Sequence, residues 1–211
     1  MEEAGVYLSC EDLDQITRTL RARLADLESS IYFLAGGEFN LGSPVQLAEV
    51  LFDRLDLPRQ RKTKTGYSTD SKTLESLRSS HPIIERIERH RELSKLLSTY
   101  LLSLPSLVDE GGRLHTTFHQ AVTATGRLSS SDPNLQNIPV RNELGRQIRG
   151  AFVAPPGHVL LSCDYSQVEL RLLAHLSGDP EMTSAFLRDE DVHATTAAAV
   201  FGVPLAEVTY A

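Results

Sequence analysis

The most restrictive feature of this sequence is a run of apolar residues near its start that recur every three or four positions. The members of the run are Leu13, Ile16, Leu20, Leu24, Leu27, Ile31 and Leu34. This spacing puts them on one side of an α-helix, so the run predicts a long amphipathic helix that packs against a second layer. Ser9 with Asp12 resembles a capping box at its start, and Gly36-Gly37 predicts its end.

Further helices are predicted up to about residue 105. Ser43 and Pro44 are typical of the N-cap and the first position of a second helix. Residues 70–79 predict a short helix, and a longer apolar pattern extends over residues 81–101. The sequence therefore predicts an all-helical unit over residues 1–105.

A basic loop at residues 59–70 interrupts this helical unit. It has no apolar periodicity and combines Arg and Lys with hydroxyl side chains and one glycine. Lysines, hydroxyls and backbone amides can contact DNA phosphates without reading base sequence. Two interpretations stay open for the loop: a phosphate-contacting element, or an ordinary solvated surface loop, which composition alone slightly favours.

The pattern changes near Pro105. Gly111-Gly112 is typical of a turn, and residues 114–123 are rich in Thr, Val and Phe, which predicts one or two antiparallel strands. The polar stretch at residues 123–139 follows, and its Arg127 and side-chain amides can donate to the minor-groove acceptors that every base pair displays. For any single Asn or Gln, a hydrogen bond to the loop backbone is the simpler alternative.

A second apolar run, from His158 to Cys163, predicts a buried strand that ends at Asp164. Helical spacing then begins at Val168 and continues through Leu172, Leu173 and Leu176. A carboxylate between a strand end and a helix N-terminus is a suitable ligand for a divalent cation beside phosphate oxygens. A helix-capping aspartate after a core strand is the competing interpretation, and this stretch alone does not separate the two.

Charge is unevenly distributed along the chain. The net charge of -7 opposes strong overall attraction to nucleic acid. Residues 113–149, however, contain five arginines and only two acidic residues. The sequence therefore predicts one basic face for DNA and a separate acidic face for metal or solvent.

Length and residue usage are those of an ordinary globular protein, with 211 residues and 41% hydrophobic content. The N-terminus lacks the features of a secretion signal, and no apolar stretch is long enough for a bilayer, so a cytoplasmic protein with no membrane partner is expected. Cys10 and Cys163 are far apart in sequence, which favours reduced packing residues over a disulfide or a zinc site.

Taken in order, several segments resemble the bacterial family A DNA polymerases. These segments are residues 31–36, 62–69, 123–139, 146–149 and 164–171. The resemblance covers essentially the whole chain. It implies an α+β fold made of a helical thumb (1–105), part of an antiparallel-sheet palm (106–178) and the first helices of the fingers (179–211).

The resemblance also implies a metal site and a nucleotide site. Asp164 resembles a catalytic carboxylate that binds two Mg²⁺ ions, with the Tyr165 carbonyl as a further ligand. Glu169 resembles a gate that disfavours ribonucleotides. The residues implied to bind the incoming deoxynucleoside triphosphate are Tyr165, Ser166, Gln167, Glu169 and His193.

Primer-template DNA is the other implied partner. The residues implied to contact it are Lys62, Lys64, Ser68, Thr69, Arg127, Asn134, Gln136 and Asn137. Arg127 resembles an arginine at the minor-groove edge of the primer terminus, and the two lysines resemble a thumb loop that follows the duplex backbone. The implied activity is that of a DNA-directed DNA polymerase, a nucleotidyltransferase of DNA replication and repair that is monomeric when complete and acts at the bacterial nucleoid.

The resemblance stops where the sequence does, at Ala211. In the family, the following segment carries a triphosphate-binding Lys and Arg and the second catalytic carboxylate. The sequence therefore predicts a polymerase-domain fragment that is inactive by itself. The alternative function for such a fragment is a catalytically inactive module that binds primer-template DNA.

Overall fold

The computed structural model describes residues 1–63, 66–140 and 142–209, so Lys64 and Arg141 lie outside the described residues. The chain divides into two compact units, Met1–Leu160 and Leu161–Ala211. Helices and small antiparallel sheets make the fold α+β, as predicted. No helix within the described ranges combines the length and the hydropathy needed to cross a membrane.

The first unit contains helices and short strands. In chain order they are β1 (Val6–Leu8), α1 (Cys10–Ala35), α2 (Pro44–Glu49), β2 (Lys62–Thr63), β3 (Gly66–Tyr67), α3 (Ser71–Ser76), α4 (Ile83–Leu96), β4 (Arg113–Leu114), β5 (Thr117–His119), β6 (Ser129–Ser131), α5 (Glu143–Gly150) and β7 (Phe152–Val153). Single π-helical segments continue α2 over Val50–Arg54 and α4 over Leu97–Leu101, and a 3₁₀ turn covers Leu104–Leu107. The second unit contains α6 (Val168–Ser177), α7 (Pro180–Leu187), α8 (Val192–Phe201) and a 3₁₀ turn at Leu205–Glu207.

The predicted ends of α1 and the start of α2 are confirmed. The Ser9 side chain accepts a hydrogen bond from the Asp12 amide at 3.3 Å, and Gly36 ends α1 in the left-handed conformation. Ser43 caps α2 in the same way as Ser9 caps α1, and Pro44 is its first residue. These positions were predictable because capping depends on residues adjacent in sequence.

Two hydrophobic clusters hold α1 along its length. The first contains Leu13 and Leu20 of α1 together with side chains from β1, α4 and α5. The second, which we call the distal cluster, contains Ile31 at the other end of α1 and the fully buried Phe52. The remaining fully buried members of the distal cluster include Leu47, Leu51, Leu74, Leu77, Ile83, Ile84 and Ile87.

A strand at the start of the chain corrects the prediction that residues 1–105 are all helical. β1 pairs antiparallel with β4 and with β7, in the order β4-β1-β7. Three residues are too few to show strand periodicity, and both partners of β1 are distant in sequence. The strand is therefore stabilised by tertiary pairing that local patterns do not reveal.

Two further sheets bear on the sequence predictions. β5 pairs antiparallel with β6, which confirms an antiparallel strand within residues 114–123. β2 and β3 form a small hairpin within the basic loop, where no strand was predicted.

The prediction of a buried strand from His158 to Cys163 is wrong. The segment has no regular secondary structure and joins none of the sheets formed by the described residues, and Val159 and Leu161 are each 86% exposed. An apolar run becomes a buried strand only where another strand and a covering layer are available. Cys163 is consequently exposed, as is Cys10, so the two free thiols are not the packing residues expected.

The second unit has few buried side chains. α6 begins at Val168 as predicted, yet its apolar residues Val168, Leu172, Leu173 and Leu176 are all exposed. The buried residues described in this unit are Ala174, Ala185 and Val192. Helical periodicity thus predicted the conformation of α6 but not the burial of its apolar side.

His115 joins β4 to the N-terminal residues of the chain. Its Nδ1 lies 2.7 Å from the carbonyl oxygen of Glu2, and its Nε2 lies 3.0 Å from the Asp109 carboxylate. Both partners only accept hydrogen bonds, so both ring nitrogens must carry protons to satisfy them. The bond to Glu2, followed by the bond to Asp109, raises the pKa of His115.

This arrangement predicts a specific pH dependence of stability. The pKa of His115 is raised in the folded state. The stability that His115 contributes is therefore complete below its ordinary pKa of 6.5, and this stability is lost as the pH rises through the folded-state pKa. Chemical denaturation at pH 6 and pH 8.5 should show a larger loss of unfolding free energy in the natural chain than in His115→Gln. Equal losses in the two proteins would contradict the prediction.

Candidate functional site

The basic hairpin β2-β3 is anchored to the distal cluster by an aromatic side chain. Lys62 lies opposite Tyr67 in the hairpin. The Tyr67 ring packs 5.5 Å from the ring of Phe52, and the Arg59 guanidinium lies 5.4 Å from the Tyr67 ring centroid. Arg59 also pairs with Asp53 at 2.8 Å. The first lysine of the loop is therefore exposed on a hairpin with a fixed base.

Ser68 and Thr69 have a different environment from Lys62. Both are more than nine-tenths buried. The Ser68 hydroxyl accepts a hydrogen bond from the Asp70 amide at 3.2 Å, and the Arg91 guanidinium donates to the carbonyl and hydroxyl oxygens of Thr69. Any influence of these two hydroxyls on DNA would act through the shape of the hairpin.

Asp70 and Arg91 are hairpin-supporting residues that the sequence analysis did not identify. Asp70 caps α3 by accepting from the Thr73 amide at 2.9 Å, and this bond is the main reason that its pKa falls to about 2. Burial lowers the pKa of the half-buried Arg91 guanidinium. An aspartate at the start of a predicted helix signals a cap, whereas the contact that Arg91 makes from α4 has no local sequence signal.

The polar stretch at residues 123–139 uses its amide side chains for its own backbone. The Asn134 side-chain oxygen accepts from the Gln136 amide at 3.0 Å, and the Gln136 side chain donates to the Leu128 carbonyl at 3.0 Å. The Asn137 carbonyl accepts from the Tyr100 hydroxyl at 2.6 Å. Asn134 and Gln136 therefore hydrogen-bond to the loop backbone, which was the simpler of the two alternatives predicted from the sequence. These bonds fix the path of the backbone through the stretch.

Arg127 lies at a tight turn within the same stretch. Gly126 has a φ of 74°, in the region that favours glycine, and its amide donates to the Thr123 carbonyl at 3.2 Å. The Thr123 hydroxyl donates to the Arg127 carbonyl, which closes the turn. Arg127 is an exposed residue of this turn.

Asp164 and the residues after it form a compact set in the second unit. Asp164 is exposed, Tyr165 is 83% exposed, and both precede the turn at Ser166 and Gln167. Glu169 belongs to the first turn of α6. His193 belongs instead to α8, where its backbone amide donates to the capping Asp191 carboxylate at 2.8 Å.

The donor set around Asp164 fits a partial magnesium site. Mg²⁺ retains several waters and binds proteins through one or two carboxylates together with substrate oxygens. An exposed carboxylate followed by the Tyr165 carbonyl meets part of that requirement. In the described part of the chain, no three His, Cys, Asp or Glu side chains are grouped so as to hold a metal ion.

Comparison with known proteins gives a consistent result. The family model for DNA polymerase family A matches residues 10–211. DNA polymerase I of Synechocystis sp. is 52% identical over 205 residues, which cover 96% of this chain and 21% of that protein. A thermostable DNA polymerase I of Thermus thermophilus is 55% identical over 207 residues, covering 97% of this chain and 25% of that protein.

A solved structure is also similar to this chain over nearly its whole length. It is the POL domain of Pol1 from M. smegmatis, in complex with DNA primer-template and dNTP, with a TM-score of 0.85 and 44% identity. The match covers 98% of this chain and 37% of that one. The chain thus spans about a fifth to a quarter of the length of the relatives named above.

Proposed function

The chain belongs to DNA polymerase family A. We propose that it is the part of a DNA-directed DNA polymerase that binds primer-template DNA and supplies one catalytic carboxylate. The proposed reaction adds a deoxynucleotide to a primer 3′ end in replication and repair. In this proposal residues 1–105 form the thumb, 106–178 part of the palm, and 179–211 the start of the fingers.

The observation that carries the proposal is Asp164, which is exposed a few residues before the start of α6 and is included in the family match. Asp164 and the Tyr165 carbonyl would hold Mg²⁺ as part of a two-ion site. Metal held there would supply positive charge to the primer hydroxyl, the α-phosphate and the leaving pyrophosphate. The contribution of this chain would be to present the exposed carboxylate of Asp164 to these ions.

The nucleotide site is proposed around the same turn. Tyr165, Ser166 and Gln167 would line it, and His193 would lie near the triphosphate. Glu169, in the first turn of α6, would exclude a ribose 2′-hydroxyl. This assignment is supported by the compact succession of residues 164–169.

The DNA site is proposed in the first unit. Lys62 and Lys64 would contact the duplex backbone, with Ser68 and Thr69 shaping the hairpin. Arg127 would donate to the minor-groove edge at the primer terminus, in a stretch shaped by Asn134, Gln136 and Asn137. We also propose that the complete enzyme acts as a monomer at the nucleoid in the bacterial cytoplasm, as the family resemblance implies.

A second function is favoured for the 211 residues in isolation. Asp164 is the one carboxylate that the proposal assigns to the two-ion site, so by themselves these residues would act as a primer-template binding module with no catalysis. Primer extension with Mg²⁺ and all four deoxynucleotides separates the two functions. We expect the isolated chain to bind primer-template DNA and to give no extension, and extension by the isolated chain would contradict this expectation.

The polymerase function itself is tested by segment exchange. The aligned segment of the Thermus thermophilus enzyme is replaced by this chain, and we call the product the exchange polymerase. We expect it to extend a primer, since the two segments are 55% identical. An exchange polymerase that folds and binds DNA but does not extend the primer would overturn the proposed function.

The two lysines of the basic loop predict a measurable salt dependence of DNA binding. Each phosphate contact contributes about 0.9 to the slope of log K against log salt concentration. Replacing Lys62 and Lys64 with Ala should therefore lower the slope by up to about 1.8, as measured by fluorescence anisotropy of labelled primer-template DNA. Lys95→Ala, at an exposed position of α4, serves as the control. An unchanged slope in the double variant would show that these lysines do not contact phosphates and would favour the interpretation of an ordinary solvated surface loop.

A further inference from the structure

The turn that connects Asp164 to α6 lacks the usual local stabilisers. Gln167, the N-cap residue, has φ 51° and ψ 36°, a left-handed conformation that is unfavourable for a residue with a side chain. Its side chain makes no capping hydrogen bond. Another group must therefore hold the turn in place.

Arg171 makes two contacts with this turn. Its backbone amide donates to the Gln167 carbonyl at 3.0 Å, which is the first hydrogen bond of α6. Its side chain reaches back along the helix, and Nε donates to the Ser166 carbonyl at 3.0 Å. One residue thus satisfies two successive carbonyl groups of the turn.

The Arg171 side chain is held from a second side by α7. Its guanidinium carbon lies 4.6 Å from the centroid of the Phe186 ring, a geometry typical of a cation–π contact. A planar guanidinium can stack on a ring while an edge nitrogen donates to a carbonyl, which an ammonium group cannot reproduce. The Phe186 ring therefore limits where Arg171 can direct its Nε–H.

We infer that Arg171 is a positioning residue, which holds the Ser166 carbonyl between α6 and α7 and so fixes the turn that presents Asp164 and Tyr165. The hydrogen bond from Arg171 to the Ser166 carbonyl does not depend on the proposed function. The inference that this bond affects metal binding does rest on the proposed function. Loss of a group that orients a metal ligand reduces metal affinity by about 10- to 100-fold.

The first experiment tests the contact in the 211-residue chain by NMR. In the natural chain, the Nε–H signal of Arg171 should be slow to exchange with water and shifted by the Phe186 ring. Arg171→Lys and Phe186→Leu should both move the amide signals of residues 164–167. Arg188→Lys is the matched control, because Arg188 lies just after α7 and pairs with Glu190. Unmoved signals in both test variants would overturn the inference.

The second experiment measures the Mg²⁺ concentration that gives half-maximal extension by the exchange polymerase. Arg171→Lys should raise this concentration roughly tenfold, with activity recovering at high Mg²⁺, and Arg188→Lys should leave it unchanged. A merely destabilising change would lower the maximum without moving the midpoint. An unmoved midpoint in an active Arg171→Lys enzyme would contradict the metal-positioning role. Failure of the unsubstituted exchange polymerase would instead count against the proposed function and leave the NMR result standing.

Discussion

Asp164→Ala is expected to reduce primer extension by the exchange polymerase by at least about 100-fold, while its affinity for primer-template DNA changes little. Loss of a group that merely supports a metal ligand already costs about 10- to 100-fold in metal affinity or activity. Removal of the carboxylate ligand itself should therefore cost no less. DNA binding should persist because the proposed duplex contacts, including Lys62 and Arg127, belong to the first unit.

Single-turnover extension and DNA binding should be measured on the same preparations. Asp164→Asn keeps the size of the side chain and removes its charge, so it should share the defect. Glu181→Gln removes a charge from an exposed position of α7 and should extend normally. Extension preserved in Asp164→Ala would rule out the metal role assigned to this carboxylate.

Phe52→Ala is expected to destabilise the first unit by about 3–5 kcal/mol. Phe52 is 1% exposed in the distal cluster, where its ring also packs on Tyr67 of the hairpin. Deleting the ring would leave a cavity among side chains that are already buried. The predicted loss is a large share of the roughly 5–15 kcal/mol that stabilises a typical protein domain.

Phe33→Ala provides a control of the same chemistry in the same unit. Phe33 is 85% exposed on α1, so its removal should change stability by no more than about 0.5 kcal/mol. Urea denaturation followed by circular dichroism would give both values. Similar effects of the two substitutions would contradict the assignment of Phe52 to a tightly packed core.

Local signals explain how much of the fold could be predicted from sequence. The ends of α1 depend on Ser9 and Gly36, which act on their immediate neighbours, so the sequence predicted them well. β1 was missed because it consists of three residues whose partners are distant in the chain. The strand predicted from His158 to Cys163 failed for the converse reason, since a suitable local pattern found no partner strand among the described residues.

The candidate site shows the same division. Residue types and spacing, together with the family resemblance, led to the prediction of Asp164, Lys62 and Arg127 as site residues, and their roles stay predictions. They were not sufficient to find the contacts from Arg91 to Thr69 or from Arg171 to Ser166. Both are long side chains that reach a backbone carbonyl or hydroxyl, and whether they do so depends on how helices and turns pack rather than on sequence spacing.

The length of α1 determines how far a tilt of this helix would move the basic hairpin. Its 26 residues span about 39 Å, from the sheet β4-β1-β7 to the cluster that carries the basic hairpin. A tilt of about 10° at the sheet would move the far end by about 7 Å. That displacement is close to the screening length of roughly 8 Å at physiological salt, so a tilt that moves Lys62 this far from a phosphate would reduce their attraction to about half or less.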